Sequence, residues 1–569
     1  MRDPDTDAKR PPGTAAAILS AWRVADEPAS PATRLIDIAA WLTLLGIAIV
    51  AYLTFEEYGL GWDDFTHSQY GQLLLDYYAS GFTDKRAFSF VNLYMYGGGF
   101  DMAAALAAKV LPFELFETRR LIGAVVGLIG LFVVWRTARR LGGPVAGLAA
   151  LALMACEPQF YGHMFINPKD APFAVAIAAL LYSLVRAIEE YPRPGAATIA
   201  IFGVSLGLTL GTRIMGGMAA LYVMLPLGLL IAHDWRHHNA RFALKDLGQF
   251  LLRLLPGFVL CYAVMALVWP WSVQEPLNPW HAVEYFSHFF EKPWKEIYDG
   301  QAISVPDMPR TYLPTYLGIK LPEILLLLGG LGVVGCLVAS FNRELPVRRR
   351  AAILLIALAF IIPVGITVAT RPAMYNGIRH FIFILPPLCV LGGLAGSWLL
   401  RWLAEKSPIA ALAGACAILI GLLFPLREMI ELHPYQYAYF NKLFGGVKAA
   451  DSRYMLDYWG LSFKQATDEL LGVLEERGIE TPEGRRWVVA VCGPIPIANV
   501  ELGPDFLLTG NPKGADFALM LGEFYCTELD APELVKIERE GVVFARVYDI
   551  RGRSVKDLNT IPPVINNSN

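Results

Sequence analysis

Two adjacent carboxylates, Asp63 and Asp64, stand in Gly61-Trp62-Asp63-Asp64-Phe65-Thr66-His67, directly after the first apolar span of the chain. Two acids side by side at a bilayer edge repel each other and lose hydration, so their retention there points to proton, sugar or metal chemistry rather than to stability. Taken alone, the pair is accounted for equally well by a solvated loop turn. A third acid, Asp170, ends the segment Glu157 to Asp170 immediately before another span. It either caps the helix that follows, where the dipole favours an anion, or shares a site with the first two.

Cations collect at the same ends of spans: Arg213 after the fifth, Arg310 and Lys320 in the fourth outer loop, and Arg371, Arg379 and His380 around the tenth. Any one of them is explained by snorkelling or a salt bridge. As a group they run against the rule that gathers Arg and Lys on the inner side, and they point to an anionic ligand, most naturally a lipid-linked phosphate. His67 and His163 are the weak metal candidates, since His and carboxylates together suit divalent ions. Neither sits in an HxxxH or HExxH spacing, so no metal is assigned and a divalent ion stays open as a cofactor.

The elements that must position these groups follow from composition. The chain has 569 residues, 55% hydrophobic and 17% charged, with a mean hydropathy of +0.43. That is a polytopic membrane protein. Windows of about 20 residues give roughly eleven spans: Arg34 to Phe55, Leu121 to Thr137, Pro144 to Cys156, Ala171 to Ala187, Ala196 to Gly211, Gly216 to Ala232, Phe250 to Trp269, Leu321 to Ser340, Ala351 to Ala369, Phe381 to Trp402 and Ile409 to Leu426. Every second connection is basic, from Arg10 and Arg23 through Arg136, Arg139 and Arg140 to Arg401 and Lys406. The positive-inside rule then predicts a cytoplasmic N-terminus and, with an odd number of spans, an outer C-terminal region.

Three regions follow: a cytoplasmic segment 1–33, a membrane domain 34–426 whose first outer loop covers 56–120, and a small α/β outer domain 427–569. The first thirty residues lack the h-region and cleavage site of a removable signal peptide, so span one reads as an uncleaved anchor. In the first loop, Leu73, Leu74, Tyr77 and Tyr78 predict one interfacial helix and Met102, Leu106, Val110 and Leu111 a second. In the outer domain, Ser462 to Arg477 reads as an amphipathic helix, and Trp487 to Val491 and Val542 to Tyr548 read as strands. Tyr435, Tyr437, Tyr439 and Phe440 read as packing against the membrane face. Of the seven cysteines only Cys492 and Cys526 fall in the outer domain, where an oxidising compartment permits them to pair.

These motifs resemble the integral-membrane glycosyltransferases of the GT-C class, specifically family 39, which includes protein O-mannosyltransferases and lipid A aminoarabinose transferases. The resemblance rests on the acidic pair after span one, here Asp-Asp where the family commonly has Asp-Glu, and on Asp170 in Asn167-Pro168-Lys169-Asp170. It extends to Gly211-Thr212-Arg213, to Tyr375-Asn376-Gly377-Ile378-Arg379-His380-Phe381 before Pro386-Pro387, and to the stretch His433 to Asn441. It implies an α-helical polytopic GT-C fold with a small C-terminal α/β periplasmic domain, in a bacterial inner membrane.

The activity it implies is transfer of a sugar from a polyprenyl-phosphate donor to a hydroxyl of a glycolipid, polysaccharide or protein at the periplasmic face. Asp63 would be the general base of a single inverting displacement, and Asp64 and Asp170 would position the base or the acceptor. Arg213, Arg379, His380, Lys85 and Lys169 are the candidates to hold the donor phosphate. No P-loop and no strand-linked GxGxxG occurs, in keeping with a donor that is not a nucleotide sugar. Partners are then the lipid-linked donor, the acceptor and membrane lipids, with no nucleic acid. The alternatives are a lipid or sugar transporter or flippase, and a non-catalytic envelope-assembly subunit. A transporter would place its ionisable groups near the bilayer midplane and often repeat its halves; this chain has acids at span ends and no evident repeat.

Overall fold

The structure, a computed structural model, describes residues 31–287, 294–481 and 483–560. Arg10, Arg23 and the first thirty residues of the expected cytoplasmic segment lie outside them. The helices run α1 Pro31–Thr54, α2 Asp64–Ala79, α3 Gly99–Ala107, α4 Leu115–Ala155, α5 Pro158–Ile166, α6 Asp170–Glu189, α7 Ala196–Thr212, α8 Ala219–His237, α9 Ala240–Val268 and α10 Asn278–Ser287. After a hairpin of β1 (Lys295–Tyr298) and β2 (Gln301–Ser304) come α11 Tyr312–Lys320, α12 Glu323–Phe341, α13 Val347–Thr370, α14 Leu385–Lys406 and α15 Pro408–Glu431.

Among the described residues, nine helices are long and apolar enough to cross a membrane, and α7 is a shorter apolar helix. α4 has 41 residues, about 60 Å if straight and twice the hydrocarbon thickness. It is not straight. Gly143 adopts φ 82° and ψ −178° ahead of Pro144, a left-handed conformation that glycine reaches without strain. A Cβ on Gly147 would lie 2.8 Å from Arg139 Cβ and 2.9 Å from Trp135 Cδ1, whereas a continuous helix would hold residues 135 and 147 about 18 Å apart. The chain reverses at Gly143, and the two limbs are the spans read separately as Leu121 to Thr137 and Pro144 to Cys156. The eleven crossings of the sequence reading require that, besides those nine helices, the 12-residue limb Pro144–Ala155 and the 17-residue α7 cross as well.

α6 and α14 are buried along most of their length, while α1 and α15 turn Leu35, Trp41, Leu42, Leu45, Ile409, Leu412 and Leu419 outward. That is the inverse of a soluble bundle and the arrangement a lipid surround requires. Small residues let α14 approach α4: a Cβ on Gly393 would meet the Ala146 carbonyl oxygen at 2.5 Å. Glu57 after α1 pairs with His433 after α15, and Arg213 after α7 with Asp170 at the start of α6; among the basic connections, Arg139 pairs with Asp37 and Arg140 with Glu189.

The C-terminal region adds α16 Gly446–Ala450, α17 Ser462–Glu476, β3 Trp487–Cys492, α18 Ile495–Leu502, β4 Phe506–Thr509, β5 Phe517–Leu521, β6 Glu533–Arg539 and β7 Val542–Asp549. The sheet order is β4-β3-β5-β7-β6, with β3 parallel to β4 and β5 and β7 antiparallel to β5 and β6. Cys492 and Cys526 form a disulfide. Tyr435, Tyr437, Tyr439 and Phe440 are fully buried, but inside the protein: Tyr435 stacks on Phe544 of β7 and the Tyr437 hydroxyl donates to Asp457. The side chain of Asn441 donates to the carbonyls of Gly318 and Leu321, at 2.7 and 2.9 Å. These contacts fasten the sheet region to the membrane helices.

Candidate active site

The chain leaves α1 through the short turn Phe55–Glu57 and enters α2 beneath Trp459. A Cβ on Gly61 would lie 2.9 Å from Trp459 Cε3 and 3.2 Å from the Ile166 carbonyl oxygen, so only glycine lets the acidic pair come this close. The two acids then part. Asp64, in the first turn of α2, is 3% exposed and turns inward. Its Oδ1 accepts from Arg119 Nε at 3.1 Å, and Oδ2 is 3.9 Å from Arg120 Nη2. Arg119 Nη2 donates in turn to Asp101 on α3 at 2.8 Å, and the other Asp101 oxygen lies 2.7 Å from His67 Nδ1.

Asp63, the residue before α2, makes no helix-capping bond. Its Oδ2 accepts from Arg379 Nη1 at 3.2 Å and lies 3.9 Å from Lys169 Nζ. Burial would raise its pKa, but Lys169 and Arg379 outweigh that and hold the carboxyl at about 2. Burial pulls the Lys169 ammonium down, and Asp63 partly restores it. The Arg379 guanidinium lies between two rings, 4.9 Å from Tyr375 and 5.0 Å from Trp459, a geometry that fixes a cation without another carboxylate.

Asp170 begins α6. Its backbone N–H donates to Asn167 Oδ1 at 2.7 Å, Asn167 Nδ2 returns a bond to Asp170 Oδ2 at 3.0 Å, and Arg213, just past α7, forms an ion pair with Asp170. Lys169 and Arg213 both approach the Tyr96 ring, at 4.6 and 5.7 Å. Four carboxylates (Asp63, Asp64, Asp101 and Asp170) thus face five cations (Lys169, Arg119, Arg120, Arg213 and Arg379). Glu501, which interacts with Arg120, is a fifth acid and balances the cluster.

Beside this cluster is a cavity of about 580 Å³, lined by Asp63, His67, Lys169, Arg379 and a set of aromatic rings that includes Trp62, Tyr96, Trp294, Tyr375, Tyr458 and Trp459. Such volume and lining fit a small-molecule head group. Tyr458 and Trp459 come from the region after the last span, and Phe524 and Tyr525, next to the disulfide, complete the wall. Glu296 on β1 also lines it: 1% exposed, it accepts from the Asn376 N–H at 2.6 Å and from the Tyr312 hydroxyl at 3.3 Å. Burial pushes its carboxyl up to about 7.

The structure brings together Asp63, Lys169 and Arg379 on the cavity, with Asp170 and Arg213 paired beside them and Asp64 behind. His380 packs its ring against Tyr375 at 4.5 Å. Lys85 is exposed on the first loop and does not line the cavity. Of the other outer cations, Arg310 caps the carbonyls of Val368 and Ala369, Lys320 donates to the Tyr437 carbonyl, and Arg371 is exposed. The two metal candidates have other partners: His163 lies between Asn167 Nδ2, at 3.2 Å, and the Tyr458 hydroxyl, at 3.0 Å, and His67 holds Asp101. Burial drives the His163 pKa down to about 3. Glu296 and the aromatic wall escaped sequence reasoning. The one signal was an acid, Glu296, flanked by the aromatic residues Trp294 and Tyr298 in the fourth outer loop.

Residues 100–269 match the family model described as dolichyl-phosphate-mannose-protein mannosyltransferase. No curated protein matches the chain. Among solved structures, the chain is similar to ArnT from Cupriavidus metallidurans bound to undecaprenyl phosphate, at 14% identity, with 89% of this chain and 97% of that one covered and a TM-score of 0.47. It is also similar to the archaeal oligosaccharyltransferase AglB from Archaeoglobus fulgidus in complex with an inhibitory peptide and a dolichol-phosphate, at 11% identity, with 85% and 69% covered and a TM-score of 0.49. The match to that family model covers residues 100–269, under a third of the chain, from α3 to the end of α9.

Proposed function

We propose that the chain transfers a sugar from a polyprenyl-phosphate donor to an acceptor hydroxyl, with Asp63 as general base, on the outer face of a bacterial inner membrane. One observation carries this reading. Asp63 is the member of the acidic cluster that reaches the cavity, and it does so between two cations, Lys169 and Arg379, that also line it. A carboxylate and a phosphate-binding pair at one wall are what an inverting displacement on a glycosyl phosphate needs.

The donor phosphate binds Lys169 and Arg379, and its polyprenyl tail runs along the exposed apolar helices. Tyr96, Tyr375 and Trp459 enclose the sugar. The acceptor hydroxyl enters opposite the phosphate, its oxygen bonds to the anomeric carbon through an oxocarbenium-like state, and its proton passes to Asp63. The bond from the anomeric carbon to the phosphate oxygen breaks, and the electron pair leaves with the phosphate, whose charge the two cations stabilise.

The same cations keep Asp63 a weak base while the site is empty. Once the phosphate engages them, Asp63 loses part of that stabilisation and its basicity rises, which couples activation of the base to donor binding. Asp170 with Arg213, and Asp64 with Arg119, position the elements that carry Lys169 and Asp63.

The test is sugar transfer by the purified protein in detergent, with a panel of radiolabelled polyprenyl-phosphate sugars and cell-envelope acceptors, for wild type and Asp63→Asn. Transfer that the variant loses supports the reading. If the wild type binds the donors but transfers from none, the transporter and assembly-subunit alternatives take its place.

A further inference from the structure

His67 lies one helical turn after Asp63, its backbone N–H donating to the Asp63 carbonyl at 3.0 Å. Residues four apart on a helix share a face, and both line the cavity. The His67 side chain is 4% exposed. Asp101 Oδ2, 2.7 Å from Nδ1, and Arg119, which donates to the other Asp101 oxygen, fix how the ring is used. A carboxylate at Nδ1 takes the N–H there, so the lone pair is left on Nε2. Among the described residues Nε2 is a buried nitrogen with no hydrogen-bond partner. A fully buried ring held on one side by a carboxylate and left open on the other is rare without a reason.

Asp63 alone is a poor final holder for a proton, because Lys169 and Arg379 again stabilise its ionised form once the leaving phosphate departs. An imidazole one turn away, with a carboxylate behind it to neutralise an imidazolium, is a better one. We infer that His67, oriented by Asp101, is the proton exit of the site, taking from Asp63 the proton that Asp63 removes from the acceptor hydroxyl.

The step balances. The Asp63 carboxyl gives its proton to His67 Nε2, directly or through one water, and returns to the carboxylate. The imidazolium is compensated by Asp101 and then releases the proton to cavity water, so the enzyme ends as it began. His67 would be a catalytic residue, since it receives the reacting proton, and Asp101 a positioning residue that acts through it. The charged groups packed around the pair are Asp63 and Asp64 on its own helix, Asp101 from α3, Arg119 from α4, and Lys169 and Arg379 beyond Asp63.

The inference rests on the transferase reading, and the test separates the two. Transfer by the full-length protein in detergent is measured for wild type, Asp63→Asn, His67→Gln, His67→Gly and Asp101→Asn, with thermal melts as folding controls. His67→Gln keeps size and polarity but cannot take up the proton, so kcat should fall about 10²-fold or more with KM for the donor unchanged. The solvent deuterium isotope effect on kcat should rise as proton exit becomes limiting. Asp101→Asn should lower kcat less, also without moving KM. Added imidazole should restore His67→Gly in a concentration-dependent way and leave Asp63→Asn unaffected, a rescue that a purely structural histidine would not give. Wild-type kcat in a folded His67→Gln, or a fall that imidazole cannot rescue in a folded His67→Gly, overturns the relay and leaves the transferase reading standing. Absence of transfer by the wild type overturns both.

Discussion

Arg379 Nη1 lies 3.2 Å from Asp63 Oδ2 although 316 positions separate the two residues in the chain. The pair joins the exit of the first span to the approach of α14, the most enclosed candidate span among the described residues, and together with Lys169 it keeps the acid ionised. Removing the cation has a definite sign. With Arg379→Gln the stabilisation that holds the Asp63 carboxyl at about 2 weakens, its pKa rises, and the acid limb of the pH–rate profile moves to higher pH, with donor KM raised as well. An acid limb that stays in place would assign it to a group other than Asp63.

The adjacent acids should fail in different ways. Asp63 reaches the cavity, so Asp63→Asn should cost about 10²- to 10⁴-fold in kcat, the usual worth of a positioned proton transfer, while the thermal melt changes little. Asp64 is buried against Arg119, so Asp64→Ala leaves a buried guanidinium short of a partner, typically a loss of about 3–5 kcal/mol. Here the melt should drop. Equal effects of the two substitutions on melt and on kcat would refute the division of labour.

How much of this was legible in sequence follows from where each residue sits. Asp63, Asp170, Arg213 and Arg379 each border an apolar span, and a charge beside a span stands out against its neighbours. Alternation of the spans then put them on one side. Pairing was not legible, because nothing local says that Arg213 takes Asp170 while Arg379 takes Asp63. The reversal at Gly143 showed only as a Gly-Pro break between two apolar runs. Glu296, Tyr96, Tyr458 and Trp459 lie in loops without periodicity, brought to the cavity by the β-hairpin and by the sheet region folding back over the membrane domain. Lys85 misled for the converse reason: a basic residue in the right loop, with nothing in sequence to show that it faces solvent.

Buried carboxyls give the fold a characteristic pH response. Burial raises Glu296 from 4.5 to about 7 and, reinforced by Asp457, raises Glu523 from 4.5 to about 8. Between pH 4.5 and those values the folded chain keeps protons that the unfolded chain has lost, so stability is fully present below about pH 4.5 and declines as pH rises through 7 and 8. His163, held down at about 3, opposes this slope below pH 6.5, and Lys320, lowered by burial to about 7, opposes it above pH 7, so melting temperature in detergent should fall most steeply between pH 6.5 and pH 7. Glu523→Gln, which keeps an acceptor for the Leu456 N–H, should flatten the slope. A variant with the wild-type slope would show that Glu523 ionises freely in the folded protein.

The odd number of crossings is open to a direct test at two exposed residues. Lys85 follows α1 and Arg343 lies between α12 and α13, and both side chains face outward. With the reversal at Gly143 and α7 counted as a crossing, the chain reaches Lys85 after one passage and Arg343 after eight, so the two must lie on opposite sides of the bilayer. In a background with the exposed Cys416 replaced by Ala, a membrane-impermeant maleimide should label Lys85→Cys in intact cells and Arg343→Cys only after permeabilisation. Because Asp63, Lys169, Arg213 and Arg379 are in contact with one another or with a shared partner, the side that labels Lys85→Cys is also the side on which the cavity opens. Labelling of both positions from one side would mean that α7 or one limb of α4 does not cross, and the placement of the cavity at the outer face would fall with it.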